Sequence, residues 1–187
     1  IDVDVERERL RRERGRLQPT DVTATLGRIE VVGALEDLKP AHVVVEAIIE
    51  SLEPKRELFR ALEGVVREDC ILASNTSSLS VTAMAAGCKK PNRIAGYHYF
   101  NPVPVMKVVE VVAGELTEPW VMDALVALAK RYGHTPVRCK DTPGFVVNHA
   151  GRGYIPESLR ALVEGVADFA TIDRILVDAA GFRLGPF

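Results

Sequence analysis

Apolar and polar positions follow three different patterns along the chain, and each predicts a different kind of structure. Residues 5–17 (VERERLRRERGRL) are charge-dense with few apolar positions, which predicts a solvated helix whose arginines form a wet face. Pro19-Thr20-Asp21 interrupts it, with Thr20 or Asp21 suited to cap a short helix running to Gly27. Arg28 to Val32 (RIEVV) predicts a short strand. From Ala41 the pattern sharpens. Residues 42–47 (HVVVEA) are β-branched and nearly continuous, as in a strand buried on both faces of a parallel sheet. Pro54 suits the first turn of a helix over residues 54–67, where Leu58, Phe59, Leu62 and Val65 recur at helical spacing.

Residues 70–74 (CILAS) predict a second buried strand, and a polar loop, Asn75-Thr76-Ser77-Ser78, leads to a helix ending near Gly87. Strands are predicted over 94–100 and 105–112, then a helix capped by Thr117 with Trp120, Val121, Ala124, Leu125, Leu128 and Tyr132 on one face. Gly133 suits the position just past its end, and residues 135–139 predict a fifth strand. The third pattern begins after Lys140-Asp141-Thr142-Pro143-Gly144, where residues 145–166 and 171–180 carry helical periodicity with no strand between them. Strand–helix alternation followed by helices alone predicts a doubly wound α/β sheet over residues 1–140 and a helical domain from 141 to 187.

Composition narrows the partners. The 187 residues are 47% hydrophobic and 27% charged, with a formal net charge of -2, enough apolar content for a core and no basic excess for nucleic acid or a polybasic membrane patch. No apolar run approaches the roughly 18 residues a membrane-spanning helix requires. Ile1-Asp2-Val3-Asp4 lacks the basic and apolar regions of a signal peptide. Cys70, Cys88 and Cys139 never fall in a CxxC pair, so a reduced, cytoplasmic setting is expected, with no structural zinc site.

Ligands of an open parallel sheet bind at the carboxyl ends of its strands. Three polar features close strands here: Glu46 to Ser51, Ser74 to Ser78, and His98-Tyr99-Phe100-Asn101-Pro102. A lone His in an aromatic strand reads either as a hydrogen-bonded core residue or as a base. Glu110 bears on that choice, because it stands among Val108, Val109, Val111 and Val112, where a carboxylate is costly unless paired. His98 and Glu110 lie on successive strands joined by the stiff Asn101-Pro102-Val103-Pro104 link, within plausible contact, as an oriented base or a structural pair. Thr76, Ser77 and Ser80 equally suit helix capping, and Asn148 a capping or core amide. Gly151-Arg152-Gly153 holds the chain's only GxG, but Pro156 occupies the third glycine's place and no strand opens it, so it is no dinucleotide fingerprint.

Residues 95–110 (AGYHYFNPVPVMKVVE), 44–50 (VVEAIIE), 74–79 (SNTSSL) and 140–148 (KDTPGFVVN), with Gly185-Pro186-Phe187, resemble the motifs of the 3-hydroxyacyl-CoA dehydrogenase family in order and spacing. The likeness runs from about residue 40 to the end. Residues 148–154 (NHAGRGY) and 164–168 (EGVAD) look most like the bacterial branch of phenylacetate and related acyl-CoA breakdown.

The resemblance implies a Rossmann-type NAD-binding domain, a helical domain that closes over the site and forms a homodimer, and oxidation of (S)-3-hydroxyacyl-CoA to 3-oxoacyl-CoA with NAD. His98 would be the general base, Glu110 would orient it and stabilise its charged form, and Ser77 and Asn148 would hold the substrate oxygen. Glu50, Lys55, Ser77 and Asn101 match positions on the dinucleotide side. The family also opens with a strand, a GxGxxG loop, a helix and a second strand ending in an acid. These are not found here, so the chain is expected to be the middle of a longer two-domain enzyme that cannot bind NAD alone. An NADP-dependent 3-hydroxybutyryl-CoA dehydrogenase, a lambda-crystallin-like structural protein and a segment of a multifunctional β-oxidation protein share the resemblance.

Overall fold

The structure is a computed structural model that describes residues 19–187, so the expected helix over 5–17 lies outside the described residues. The chain divides into two compact units after Asp37. In the first, helix α1 spans Pro19–Leu26, so Thr20 and Asp21 stand inside its opening turn and not at a cap. The strand expected over 28–32 does not form. The amides of Arg28 and Ile29 are committed to the end of α1, donating to Thr25 and Leu26 carbonyls at 3.1 and 3.0 Å, and no described strand pairs with the segment.

The second unit is built on a five-stranded sheet with its strands in chain order: β1 (Val43–Glu46), β2 (Ile71–Ser74), β3 (Ile94–Tyr99), β4 (Val108–Ala113) and β5 (Thr135–Lys140). Helices α2 (Leu52–Glu63) and α3 (Val81–Ala85) lie on the crossovers from β1 to β2 and from β2 to β3, and α4 (Pro119–Arg131) joins β4 to β5. The sheet is Rossmann-like and mostly parallel. At one place the order reverses, where β3 and β4 pair antiparallel with His98 directly opposite Glu110. The cause is connection length: residues 100–107 are too few for the parallel crossover, which takes a dozen or more. The expected burial of β1 on both faces also fails, because β1 is an edge of the described sheet and Val45 is exposed.

The pleat sorts β3 and β4 into two faces. Ala95, Tyr97, Val109 and Val111 form one face and pack with Val121, Met122, Leu125 and Ala129 of α4 in a single core cluster. These four residues are the buried stripe of α4, and the expected members Trp120 and Tyr132 are exposed instead. Glu118, not Thr117, occupies the cap of α4. The Thr117 hydroxyl instead accepts from the Gly114 amide and donates to the Ile94 carbonyl, tying β4 to β3. Gly133, with φ of 77°, ends the helix as expected.

Gly96, His98, Glu110 and Val112 form the other face. Val81 of α3 lies against Gly96 on this face, and Phe59 and Leu62 of α2 and Met84 of α3 are also buried, each contributing about 1.5–3 kcal/mol of burial. Past β5, helices α5 (Val147–Arg152), α6 (Tyr154–Val163) and α7 (Phe169–Arg174) follow, with one π-helical turn over Ile175–Ala179. Residues 145–166, expected to be helical with an interruption by Pro156, form two helices that part at Gly153. Pro156 has no N–H to donate to the Arg152 carbonyl, which removes the bond that would have carried the helix through.

Helix α3 is only five residues long and is held from outside. Ser80 caps it by accepting from the Ala83 amide at 3.1 Å. Asp141, just past β5, accepts from the Val81 amide at 2.9 Å and from the Thr82 amide and Ser80 hydroxyl at 2.7 Å. Burial pushes the Asp141 carboxyl up, but these bonds outweigh it and hold the group below the usual carboxylate range.

Two outcomes follow from this packing. A Cβ on Gly96 would lie 2.7 Å from Val112 Cβ and 3.1 Å from Val81 Cγ2, so Gly96→Ala is expected to lower unfolding free energy by about 1–3 kcal/mol in urea titration. An unchanged midpoint and slope would refute the close approach. Asp141→Asn is expected to cost about 1 kcal/mol at neutral pH, as losses of helix caps do. Because the folded-state pKa is depressed, the carboxylate's contribution is complete above the ordinary Asp value of about 3.9 and fades as pH falls through the lower folded value. The gap between wild type and variant should therefore close in acid, and a gap independent of pH would contradict the assignment.

Candidate active site

The carboxyl ends of β1, β2 and β3 lie at one edge of the sheet, and the reversal of β4 brings its amino-terminal half to the same edge. A cleft of about 280 Å³ opens there, lined by Ala47, Ile48, Glu50, Lys55, Asn75, Ser77, His98, Tyr99 and Asn101. Five of the residues singled out from sequence, Glu50, Lys55, Ser77, His98 and Asn101, are therefore on its wall.

Behind the wall, His98 Nδ1 lies 2.7 Å from Glu110 Oε2. Glu110 is wholly buried, and its other oxygen accepts from the Val146 and Val147 amides at 2.9 and 2.8 Å. The two amides are aimed by a left-handed turn, with Gly144 at φ of 75° and Phe145 at φ of 50°. The buried Phe145 ring meets the imidazole with centroids 5.9 Å apart, and Phe100 lies on the imidazole at 4.4 Å. The ring is thus fixed by one charge and two aromatic contacts. With Nδ1 held by Glu110, Nε2 is the nitrogen able to take up a proton.

The loop after β2 supplies the second half. Thr76 Oγ1 donates to Glu50 Oε1 at 2.5 Å and accepts from the Ser78 and Leu79 amides at 3.3 and 3.0 Å. The Ser77 amide donates to the same Glu50 oxygen at 3.0 Å, and the Ser77 hydroxyl lies 3.5 Å from it. Ser77 is therefore not a helix cap. Burial pushes the Glu50 carboxyl up, yet the Thr76 and Ser77 bonds and the Lys55 ammonium together hold it below the usual carboxylate range. Asn75 Oδ1 accepts from the Tyr99 amide at 2.9 Å, pinning this loop to the end of β3. Asn148, second residue of α5, is not a cap either: its Nδ2 donates to the Ser77 carbonyl at 3.2 Å. All seven predicted residues converge, with Glu110 and Asn148 just behind the lining.

Sequence reasoning named Glu46 only as the start of the polar segment closing β1 and gave it no role of its own; it is buried beneath the cleft. It accepts from Lys55 Nζ on both oxygens, at 2.9 and 2.8 Å, from the Ile48 amide at 3.1 Å and from the Ser74 hydroxyl. The signal was the one that marked Glu110, a single carboxylate in a β-branched run. Among the described residues no cluster of His, Cys, Asp or Glu could hold a metal ion, and no helix is long and apolar enough to cross a membrane.

Comparison with known proteins bears on what this edge does. Residues 4–142 match the family model described as the NAD binding domain of 3-hydroxyacyl-CoA dehydrogenase, and residues 144–187 match the model of its C-terminal domain. The chain is 47% identical over 173 residues to the 3-hydroxyadipyl-CoA dehydrogenase of Escherichia coli K12, covering 92% of this chain and 36% of that protein. It is 46% identical over 145 residues to the human mitochondrial hydroxyacyl-coenzyme A dehydrogenase, covering 78% of this chain and 46% of that protein. A crystal structure of 3-hydroxybutyryl-CoA dehydrogenase from Escherichia coli K12 superposes with a TM-score of 0.92 at 46% identity, covering 97% of this chain and 38% of that one. The chain thus spans between about a third and a half of the length of these relatives.

Proposed function

We propose, for a chain that belongs to the 3-hydroxyacyl-CoA dehydrogenase family, that the protein oxidises (S)-3-hydroxyacyl-CoA to 3-oxoacyl-CoA with NAD+ in fatty-acid or phenylacetate-type degradation. The observation that carries this reading is the His98–Glu110 pair, 2.7 Å apart, with His98 on the wall of the cleft. Nε2 of His98 takes the proton of the substrate's 3-hydroxyl, and the buried carboxylate of Glu110 keeps the imidazole in the tautomer and orientation that this requires. Ser77 and Asn148, linked through the Ser77 carbonyl, hold the substrate oxygen on the other side.

The residues present fit a nicotinamide dinucleotide at its nicotinamide-ribose end. Ala47 and Ile48 give an apolar wall, while Glu50, Asn75, Ser77 and Asn101 offer a carboxylate, amides and a hydroxyl suited to ribose hydroxyls and a carboxamide. Lys55 stands beneath Glu50 on this cofactor side. The chemistry contributed by bound NAD+ is acceptance of a hydride from the carbon that bears the hydroxyl.

The catalytic set His98, Glu110, Ser77 and Asn148 favours an enzyme over a lambda-crystallin-like structural protein. The reading takes residues 1–140 as the dinucleotide-binding domain and residues 141–187 as the start of a helical substrate and dimerisation domain. Exposed Leu159, Val163, Val166 and Phe169 on the helical segment support a homodimer through it. It includes a cytoplasmic location, in keeping with three unpaired thiols.

His98→Gln is expected to lower kcat by roughly 10²- to 10⁴-fold, the usual worth of a positioned base, with NADH affinity by fluorescence titration unchanged. Glu110→Gln should lower kcat less, since the imidazole remains. Turnover by His98→Gln near the wild-type rate would overturn the assigned base.

A further inference from the structure

We propose that Glu46 is a positioning residue for the cofactor wall of the cleft, acting through Lys55 to hold Glu50 and the Thr76–Leu79 backbone in place. The inference rests on the reading of this cleft as a dinucleotide site.

The argument starts from proton donors. A lysine ammonium has three, and those of Lys55 face Glu46 Oε1 at 2.9 Å, Glu46 Oε2 at 2.8 Å and the Ile48 carbonyl at 3.4 Å. A fourth acceptor, Glu50 Oε2, lies at 3.4 Å. Lys55 is 1% exposed at the base of the cleft, with Glu50 beside it. Glu50 is 41% exposed and spends its other oxygen on the Thr76 hydroxyl and the Ser77 amide. The order from the core outward is therefore Ser74 and Ile48 on Glu46, Glu46 on Lys55, Lys55 on Glu50, and Glu50 on the loop that presents Ser77.

One ammonium sits between two carboxylates and divides itself unequally. The short bidentate contact belongs to Glu46, and the long single contact belongs to Glu50. Neutralising Glu46 leaves Glu50 as the nearest anion for a buried cation, which draws Glu50 inward and off Thr76 and Ser77. The wall then loses both its carboxylate and the anchor of its loop. Cofactor contacts depend on that wall, whereas the His98–Glu110 pair is held by other elements, so affinity should fall more than turnover.

The test uses Glu46→Gln, Lys55→Met and the double variant in the complete enzyme. Each single variant is expected to weaken NADH binding and raise KM for NAD+ roughly tenfold, within the range of coupling seen inside one hydrogen-bond network, and Glu46→Gln is expected to change KM more than kcat. The double variant is expected to match the single ones rather than compound them. It also removes the buried charge imbalance, so it remains folded if Glu46→Gln does not. Hydrogen exchange at the Ser77, Ser78 and Leu79 amides is expected to speed up in each variant without ligand. Unchanged exchange at these amides, or NADH affinity equal to wild type, overturns the role of Glu46, as does an additive double variant. Failure of the wild-type enzyme to bind NADH would instead overturn the cofactor reading, and the exchange measurement would still decide the positioning.

Discussion

A carboxylate with no exposure, in the middle of a sheet, sets the terms for the rest of this structure. The Glu110 charge costs several kcal/mol to bury unless every lone pair finds a donor. Its three donors come from separate stretches: the imidazole on β3 and two consecutive amides at the mouth of α5. Supplying the first requires β4 to run against β3. Supplying the other two requires the chain after β5 to turn left-handed at Gly144 and Phe145. Strand reversal, tight turn and helix start thus all serve one desolvated charge, and the same contacts fix the orientation of the imidazole.

The same problem is solved a second time under the cleft, with different chemistry. Glu46 is balanced by a full cation and by hydroxyl and amide donors, and its partner Lys55 lies on α2 just after the strand it serves. Glu110 has only an imidazole and neutral donors. The contrast suits their positions. The first pair supports the floor of the cleft, whereas the second presents an imidazole on its wall.

Much of this was legible from residue pattern. The five strands appear within a few residues of their expected places, and the valines around Glu110 implied that its carboxylate needed a partner. Where legibility failed, the missing information was non-local. RIEVV at residues 28–32 has the composition of a strand, but a strand also requires a neighbour's hydrogen bonds. Trp120, Ala124 and Tyr132 match the apolar period of α4 yet are exposed, because the stripe that meets the sheet is the narrower one of Val121, Met122, Leu125 and Ala129. The reversal at β4 was within reach of the sequence, since residues 100–107 cannot contain a parallel crossover. Glu46 was named only as part of a polar strand end and given no role, although it carries the same mark as Glu110. A run ending in a loop hides what a run closed on both sides by valine displays.

The distribution of donors has a consequence for how the site behaves as a unit. If residues 144–148 left their seat, Glu110 would lose both amides while remaining buried, and Asn148 would release the Ser77 carbonyl. One movement would therefore loosen the base and the loop on the cofactor side together, because both are tied to the same turn. The left-handed conformation of Phe145 adds to this coupling. A bulky residue at φ of 50° is strained by about 1–3 kcal/mol, and it is retained where its ring packs on His98 and its neighbours' amides bind the buried charge. Seating the first turn of the helical segment and aligning the imidazole are thus a single event in free energy. The short turn after β5 is thus part of the same arrangement as the histidine it supports.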